Sequence, residues 1–241
     1  MKRFFFYFSL IIFATSCEME SRLASIEAMP NIVAYAGDKI ALDVSHTPKD
    51  ALTPAYLYKT NNRFIATVNE QGTVECRHVG TCTISISTAD GRFSTVSIVT
   101  VLPKNNLFNE PNHDFNISKT SVKLRESDRT LVRETSDMLI YLYDEDPVQQ
   151  VMYLFDENMR LVTTVVKLSA GTSFGLGDFM TERYELLPFA DRPDLQIWRG
   201  NNMEVVTKRI VDDYFVAYNH FSGKSTLPSA DYSIDLFRKT L

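Results

Sequence analysis

Apolar and polar residues alternate with a period of two between Leu23 and Pro103, in short stretches separated by turn residues. Dipeptides such as Gly37-Asp38 and Asp90-Gly91 lie between the stretches and accept the positive φ angles of tight turns. Because successive side chains of a strand face opposite ways, residues 23–103 are predicted to form an immunoglobulin-like β-sandwich. The predicted strands are Ser25–Met29, Ile32–Tyr35, Lys39–Val44, Ala55–Lys59, Phe64–Val68, Thr73–Arg77, Thr81–Thr88 and Arg92–Val101, the last with Val96, Ile98 and Thr100 facing inward.

Five pieces of this region resemble, in their order and spacing, the bacterial Ig-like domain of group 2. They are Tyr35–Ile40, Phe64–Val68, Gly72–Val74, Gly80–Ile84 and Val96–Val101. The chain departs from that family at residues 55–58, where tyrosines stand in place of a frequent tryptophan. The resemblance implies a spacer or adhesion module of surface proteins that has no catalytic role.

The first seventeen residues have the pattern of a secretory signal. Lys2 and Arg3 precede the apolar run Phe4–Phe13, which ends at Ala14-Thr15-Ser16-Cys17. The run is too short to span a bilayer, which takes about 20 apolar residues. Its end resembles the bacterial lipobox, in which the cysteine receives a lipid and becomes the new N-terminus. The alternative is an ordinary secreted signal in which Cys17 lies near the cut by chance.

The lipobox resemblance implies a signal peptide at residues 1–16 and a tether at residues 17–22. Glu18 and Glu20 resemble the surface-export signal of Bacteroides-type lipoproteins, although Met19 interrupts the acidic run. We therefore expect an outer-membrane lipoprotein exposed at the cell surface, with the membrane, an envelope protein or a glycan as its partner. The net charge of −5 argues against nucleic acid, which selects for basic surfaces.

The two remaining cysteines lie in neighbouring predicted strands of the sandwich. Cys76 and Cys82 each share an alternation face with apolar neighbours, so both are predicted to point into the core. In an oxidising compartment such a pair can form a disulfide. The alternative is two buried free thiols that pack as small hydrophobic groups.

The second half of the chain mixes periods and predicts an α+β domain, residues 116–241, after a polar linker at residues 104–115. Its predicted fold is an antiparallel sheet with helices on one face. Two helices are predicted, a short one at Ser127–Thr135 and an amphipathic one at Leu176–Leu187. Residues Thr120–Leu124 show a strand-like alternation. The predicted strands are Met138–Tyr143, Gln150–Phe155, Met159–Leu168, Leu195–Trp198, Glu204–Ile210 and Tyr214–Phe221. The order of elements resembles C-terminal domains of uncharacterised Bacteroides-type lipoproteins, which brings no activity with it.

One string satisfies a catalytic pattern. Residues 171–175, Gly-Thr-Ser-Phe-Gly, match the nucleophile elbow Gly-x-Ser-x-Gly between a predicted strand and a predicted helix, with Ser173 as nucleophile. That motif needs a parallel sheet with crossover helices, for which about 125 residues are too few. A plain strand-to-helix loop has the same composition. We therefore expect no enzyme, with an envelope serine hydrolase as the less favoured alternative.

Neither a metal nor a cofactor is expected. The four histidines are scattered and none has ligand spacing to another histidine or a cysteine. Asp144-Glu145-Asp146 lacks the regular acidic spacing and the glycine of an EF-hand loop.

Three aromatic residues are candidates for contact with a glycan. Trp198 lies in one predicted strand, and Tyr214 and Tyr218 lie on the same side of another, opposite Phe215. Sugar-binding surfaces stack rings on pyranose faces, but core packing and half-exposed tyrosines that cover a sheet give the same pattern.

Overall fold

The structure is a computed structural model that describes residues 21–188, 192–221 and 227–240, without the side chains of residues 173 and 227–229. The chain is mostly β-sheet and forms two bodies. The first body, the sandwich, holds nine strands. They are β1 (Ser25–Ala28), β2 (Asn31–Tyr35), β3 (Lys39–Ala41), β4 (Val44–Thr47), β5 (Tyr56–Thr60), β6 (Ala66–Val68), β7 (Thr73–Cys76), β8 (Gly80–Thr88) and β9 (Ser94–Leu102).

Two sheets enclose the core of the sandwich. One has the order β2-β9-β8-β5, with β2 parallel to β9, and the other has the order β3-β7-β6. Strands β1 and β4 form a separate pair. The inward side chains are small and apolar, and include Ile32, Val74, Ile84 and Val99. Alternation therefore predicted the sandwich correctly, because each strand has one face toward this core.

The structure corrects two details of the sandwich. The predicted strand Lys39–Val44 is divided into β3 and β4, which lie in different sheets. In β9 the inward residues are Ser97, Val99 and Val101, whereas Val96 and Ile98 face outward and Thr100 lies on their side. The predicted facing was wrong because both sides of this strand are apolar, so alternation alone gives no direction.

The second body, the helix-flanked sheet, contains the remaining strands and three helices. They are α1 (Lys119–Arg125), β10 (Thr130–Glu134), β11 (Met138–Glu145), β12 (Val148–Phe155), β13 (Leu161–Leu168), α2 (Leu176–Arg183), β14 (Glu185–Leu187), β15 (Leu195–Arg199), β16 (Met203–Ile210), β17 (Asp213–His220) and α3 (Leu227–Thr240). A short 3-10 turn, Ala170–Ser173, precedes α2.

All eight strands of the second body form one antiparallel sheet in the order β10-β11-β12-β13-β17-β16-β15-β14. Val122 of α1 and Phe179 of α2 pack on one face, which we call the α2 face. Ile234 and Phe237 of α3 pack on the other, the α3 face. Helices therefore cover both faces, and the expectation of helices on one face was wrong. This expectation failed because the sequence patterns did not predict α3.

Three local predictions in this body were also wrong. Residues 120–124 are helical, because the Ser118 hydroxyl accepts the Ser121 N–H at 3.1 Å as an N-cap and Val122 is buried against the sheet. The region predicted as a helix at residues 127–135 contains the edge strand β10. The helix predicted over residues 176–187 ends at Arg183, because Tyr184 is extended and β14 pairs with β15.

The segment predicted as a linker makes specific contacts with the second body. Phe108 stacks on Phe179 with ring centroids 4.5 Å apart, and His113 stacks on Tyr218 at 5.3 Å. The Thr164 hydroxyl donates to the Asn112 carbonyl at 2.8 Å. Residues 104–115 are therefore packed along the α2 face.

One glutamate joins the two bodies. The Glu182 carboxylate accepts the backbone N–H groups of Lys104 and Asn105, both at 2.9 Å. Its backbone carbonyl accepts the N–H of Val79 at 2.8 Å. Glu182 lies in the last turn of α2, so this helix contacts both the turn before β8 and the segment that follows β9.

Candidate functional site

The site around Tyr214 is a cleft on the α2 face, between the start of α2 and strands β15 to β17. Its volume is about 320 Å³, in the lower part of the range of about 300–1,000 Å³ for ligand pockets. We call it the Tyr214 cleft. Its lining residues are Leu176, Gly177, Pro193, Asp194, Gln196, Thr207, Lys208, Arg209 and Tyr214.

Strand pairing places four polar side chains side by side in the Tyr214 cleft. Gln196 pairs with Thr207, and Arg209 pairs with Tyr214 across the β16–β17 hairpin. The Trp198 indole N–H donates to the Thr207 hydroxyl at 3.2 Å, and this hydroxyl lies 3.4 Å from Gln196 Oε1. These contacts fix the floor of the cleft from beneath.

Arg209 lines the Tyr214 cleft and has no carboxylate partner among the described residues. Its guanidinium carbon lies 5.8 Å from the centroid of the Tyr214 ring, and its Nε donates to the Val211 carbonyl at 3.1 Å. Within residues 21–188, 192–221 and 227–240, no carboxylate forms an ion pair with it. An aromatic ring beside an unneutralised guanidinium suits a planar or anionic polar ligand.

The other charges near the Tyr214 cleft neutralise one another. Lys208 Nζ lies 2.6 Å from Asp231 and 2.9 Å from Asp235, both on α3. Burial lowers the pKa of Lys208, but the hydrogen bonds to these two carboxylates outweigh it and raise the pKa. Asp194 accepts two hydrogen bonds from Arg192, which lower the pKa of Asp194. These groups therefore hold the structure together, whereas Arg209 lines the cleft beside Tyr214.

The three aromatic candidates lie in different surroundings. Trp198 and Tyr218 are 2% and 0% exposed and belong to the core of the α2 face. Tyr214 is half-buried and packs against the edge of that core. Tyr214 and Tyr218 face the opposite side from Phe215, as alternation predicts. Of the three rings, Tyr214 is the one that is partly exposed and lines the cleft.

Ser173 lies at the end of the 3-10 turn between β13 and α2, and its side chain is outside the described part of the structure. Strand β13 pairs antiparallel with both β12 and β17. The parallel sheet that a nucleophile elbow requires is therefore missing around this turn.

The cysteines occupy two settings. Cys17 lies outside the described residues, so its lipidation stays a prediction. Cys76 and Cys82 are free thiols, 1% and 2% exposed, on strands of the two facing sheets. Burial raises the pKa of both thiols, and Asp38 adds to the effect at Cys76. Whether they bridge in an oxidising compartment also stays a prediction.

Two further observations bear on function. Within the described ranges, no group of three or more histidine, cysteine, aspartate or glutamate residues could hold a metal ion. No helix in those ranges is both long and apolar enough to cross a bilayer.

A larger cavity, about 630 Å³, lies between the sandwich and the segment from α2 to β14. His78, which lines this cavity, is buried and stacks on Phe64 at 4.3 Å within the same body. Burial lowers the pKa of His78. The cavity combines Glu75, Arg77 and Glu185. We favour the Tyr214 cleft because there a guanidinium lies over an aromatic ring, at 5.8 Å from its centroid.

No family model and no curated protein matches the chain. Among solved structures it is similar to domains 1–6 of the surface layer protein SbsC, at 14% identity and a TM-score of 0.30, covering 86% of this chain and 26% of that one. It is also similar to SGBP-B of the Bacteroides ovatus mixed-linkage glucan utilization locus, in complex with a mixed-linkage heptasaccharide, at 12% identity and a TM-score of 0.31, covering 84% and 41%. An EHEC O157:H7 intimin mutant matches at 14% identity and a TM-score of 0.25, covering 51% and 86%. Scores this low carry no argument about fold or function.

Proposed function

We propose that this chain is a lipid-anchored cell-envelope protein, a non-enzymatic binding or structural module exposed at the cell surface. In this proposal the lipid is attached to Cys17, the Ig-like sandwich is a spacer, and the second body is an α+β domain that is displayed to partners. The partner is an envelope protein or a glycan.

The observation that supports a spacer is that the two ends of the sandwich have different neighbours. Residues 21–23, close to Cys17, line a cavity of about 450 Å³ together with Asp90 and Arg92 of the β8–β9 turn. The second body contacts the opposite end, at Val79 just before β8 and at Lys104 just after β9. Strand β8 has nine residues, which at about 3.3 Å per residue separate the two ends by roughly 30 Å.

The anchoring is tested with Cys17→Ala in the complete precursor. We expect the wild-type chain in the membrane fraction, carrying a label from a palmitate analogue, and the variant unlabelled and released from the membrane. Several acyl chains bind a membrane far more firmly than one, at about 0.8 kcal/mol for each buried methylene. A Cys82→Ala variant is the matched control and should keep both the label and the membrane location. An unlabelled wild-type chain in the cytosol would contradict the proposal.

A second candidate function, glycan binding, is favoured by the partly exposed ring of Tyr214 beside Arg209. A pyranose ring stacked on Tyr214 would place its hydroxyl or carboxylate oxygens within reach of the guanidinium, Gln196 and Asp194. Such sites combine a ring with a few convergent polar groups. The second body would then be the part that recognises the glycan.

A glycan array probed with the mature chain tests this candidate, followed by titration of the best oligosaccharide. We expect Tyr214→Ala to weaken binding by about 5- to 150-fold, because one stacked ring contributes about 1–3 kcal/mol in comparable aromatic contacts. Tyr232→Ala is the matched control, since Tyr232 is 67% exposed on α3, away from the cleft. Equal losses in the two variants, or no binding to any glycan, would refute the assignment.

A further inference from the structure

The outward side of the sheet β2-β9-β8-β5 is almost free of charge. We call it the outer face. Lys59 is its single charged residue, and the other members are apolar or carry hydroxyl or amide groups. They are Asn31, Val33, Tyr35, Leu57, Thr81, Thr83, Ser85, Ser87, Ser94, Val96, Ile98, Thr100 and Leu102.

The outer face gathers exposed hydrophobic side chains. Six of the 17 large exposed hydrophobic residues in the described ranges lie on it, and Val33, Leu57 and Val96 are 64%, 57% and 53% exposed. The others are Tyr35, Ile98 and Leu102. Contiguous apolar patches of this kind mark interaction sites in soluble proteins.

Strands β2 and β9 are apolar on both sides. In β9, Val99 and Val101 fill the core while Val96 and Ile98 face outward, and in β2 Ile32 is buried while Val33 is exposed. Strands of this composition are typical of sheets that are covered on both faces. The composition of these strands therefore predicts that a partner packs on the outer face.

We propose that this partner is a second copy of this chain, which packs its own outer face against the first. A nucleic acid or an anionic membrane would require basic residues, and a charged protein partner would require complementary charges. The outer face has one basic residue, Lys59, and no acidic one, whereas its rows of methyl and hydroxyl groups are complementary to themselves. A twofold axis that brings this face onto itself gives a closed dimer.

The direction of the strands is compatible with two copies in one membrane. Strands β8 and β9 connect the end near residues 21–23 with the end that contacts Glu182. A twofold axis along this direction places both N-terminal tethers at the same end, and two sheets packed face to face keep their strands within about 30°. This step rests on the anchoring proposed above.

The size of the outer face predicts a weak dimer. The sheet has two strands of nine residues and two of five. At about 3.3 Å per residue and about 4.8 Å between strands, each copy contributes roughly 450 Å². The pair would bury roughly 900 Å², just below the approximately 1,000 Å² expected of a specific interface. Two anchors in one membrane raise the effective concentration and favour such a contact.

Cysteine cross-linking of the full-length lipoprotein in its own membranes tests the dimer. Ile98→Cys and Val96→Cys are oxidised with copper phenanthroline, so that two thiols form one disulfide and the oxidant takes up two electrons while two protons are released. Leu124→Cys is the matched control, because Leu124 is 76% exposed on α1 of the other body. We expect a disulfide-linked homodimer in both outer-face variants, in a yield several times that of the control.

Adding Val33→Lys to Ile98→Cys should reduce the yield to that of the control, because the interface would then bury an ammonium group on β2 with no carboxylate opposite it. Yields for Val96→Cys and Ile98→Cys no higher than for Leu124→Cys would overturn the dimer, as would cross-links to a different protein. The failure of anchoring is recognised separately, since the chain would then be absent from the membranes. In that case the same variants are oxidised as concentrated soluble protein. A specific homodimer would still support self-association through the outer face, and its absence would overturn the proposal.

Discussion

The sandwich and the helix-flanked sheet differ in what they bury. In the sandwich the buried polar residues are His78, Thr88 and Ser97, and the rest of its core is apolar. The second body buries charged groups as well, including Lys119, Glu126 and Lys208.

These charged groups of the second body are paired. Glu126 accepts hydrogen bonds from the hydroxyls of Tyr143 and Tyr153, both at 2.6 Å. Lys208 pairs with two carboxylates of α3. Buried charges are tolerated only with such partners. The comparison indicates a sandwich held by uniform packing and a helix-flanked sheet whose helices are positioned by specific polar contacts.

The largest expected effect comes from the core beneath α3. Phe237 is fully buried and meets Phe215 edge to face at 6.1 Å. Phe237→Ala should lower the free energy of unfolding of the second body by about 3–5 kcal/mol, because it leaves a cavity. Urea unfolding followed by fluorescence measures this, since Trp198 is the single tryptophan of the chain.

Ile84→Ala in the sandwich is the counterpart and should cost about 2–5 kcal/mol, visible in circular dichroism while the Trp198 transition keeps its midpoint. If either substitution shifted both transitions equally, the two bodies would unfold as one unit and the comparison would fail.

The next effect concerns the buried carboxylate. Tyr153→Phe removes one of the two phenol donors of Glu126 and should destabilise the second body by about 1.5–3 kcal/mol, the value of a hydrogen bond to a charged group. Burial, with Glu126 adding to it, raises the pKa of Tyr153, so this phenol stays protonated and remains a donor. The Trp198 transition reports the loss, and Tyr232→Phe on the exposed side of α3 should change it by less than about 0.5 kcal/mol.

The same contrast explains which parts of the fold the sequence predicts. Alternation predicted most strands of the sandwich, because its apolar core imposes a period of two. It failed for the facing of Val96 and Ile98, where both sides of β9 are apolar. The short helix α1 carries too few turns for its period to outweigh an apparent alternation.

The second body was harder to predict because its polar contacts join distant segments. Ala230, Ile234 and Phe237 have helical spacing, and Asp231 and Asp235 share one side of α3. Their partner, Lys208, comes 23 residues before Asp231, and no local pattern connects them. The sequence identified Tyr214 of the cleft, and Trp198 in the core beneath it, but not Arg209, although the β16–β17 turn places Arg209 opposite Tyr214.

A smaller effect is expected at the contact between the bodies. Glu182→Ala removes the acceptor of two backbone N–H groups and should cost about 1–2 kcal/mol, because water replaces the carboxylate only partly. The loss should appear as a wider separation between the circular dichroism and Trp198 transitions. Glu157→Ala, in the exposed β12–β13 turn, is the control. Unchanged separation in Glu182→Ala would mean that the bodies are coupled by other contacts.

The smallest expected effect concerns Asp90, in the β8–β9 turn at the tether end of the sandwich. The Thr88 hydroxyl, the Arg92 N–H and the Arg92 guanidinium lower its pKa from 3.8 to about 2. Since the folded-state pKa lies below the unfolded one, this interaction stabilises the protein above about pH 4 and is lost as the pH falls toward 2. Thr88→Val should move the pKa of Asp90 back toward 3.8, as measured by NMR titration.

This titration also sharpens the comparison of the two bodies, because the Asp90 contacts all lie within one turn. Asp90→Asn should lower the stability of the sandwich slightly at neutral pH, leave it unchanged near pH 2, and not alter the Trp198 transition at either pH. In the second body the carboxylates of α3 bind Lys208 on β16, so those contacts join a helix to the sheet. A pH dependence of the Trp198 transition that followed Asp90 would show that a charge in the sandwich is coupled to the stability of the helix-flanked sheet.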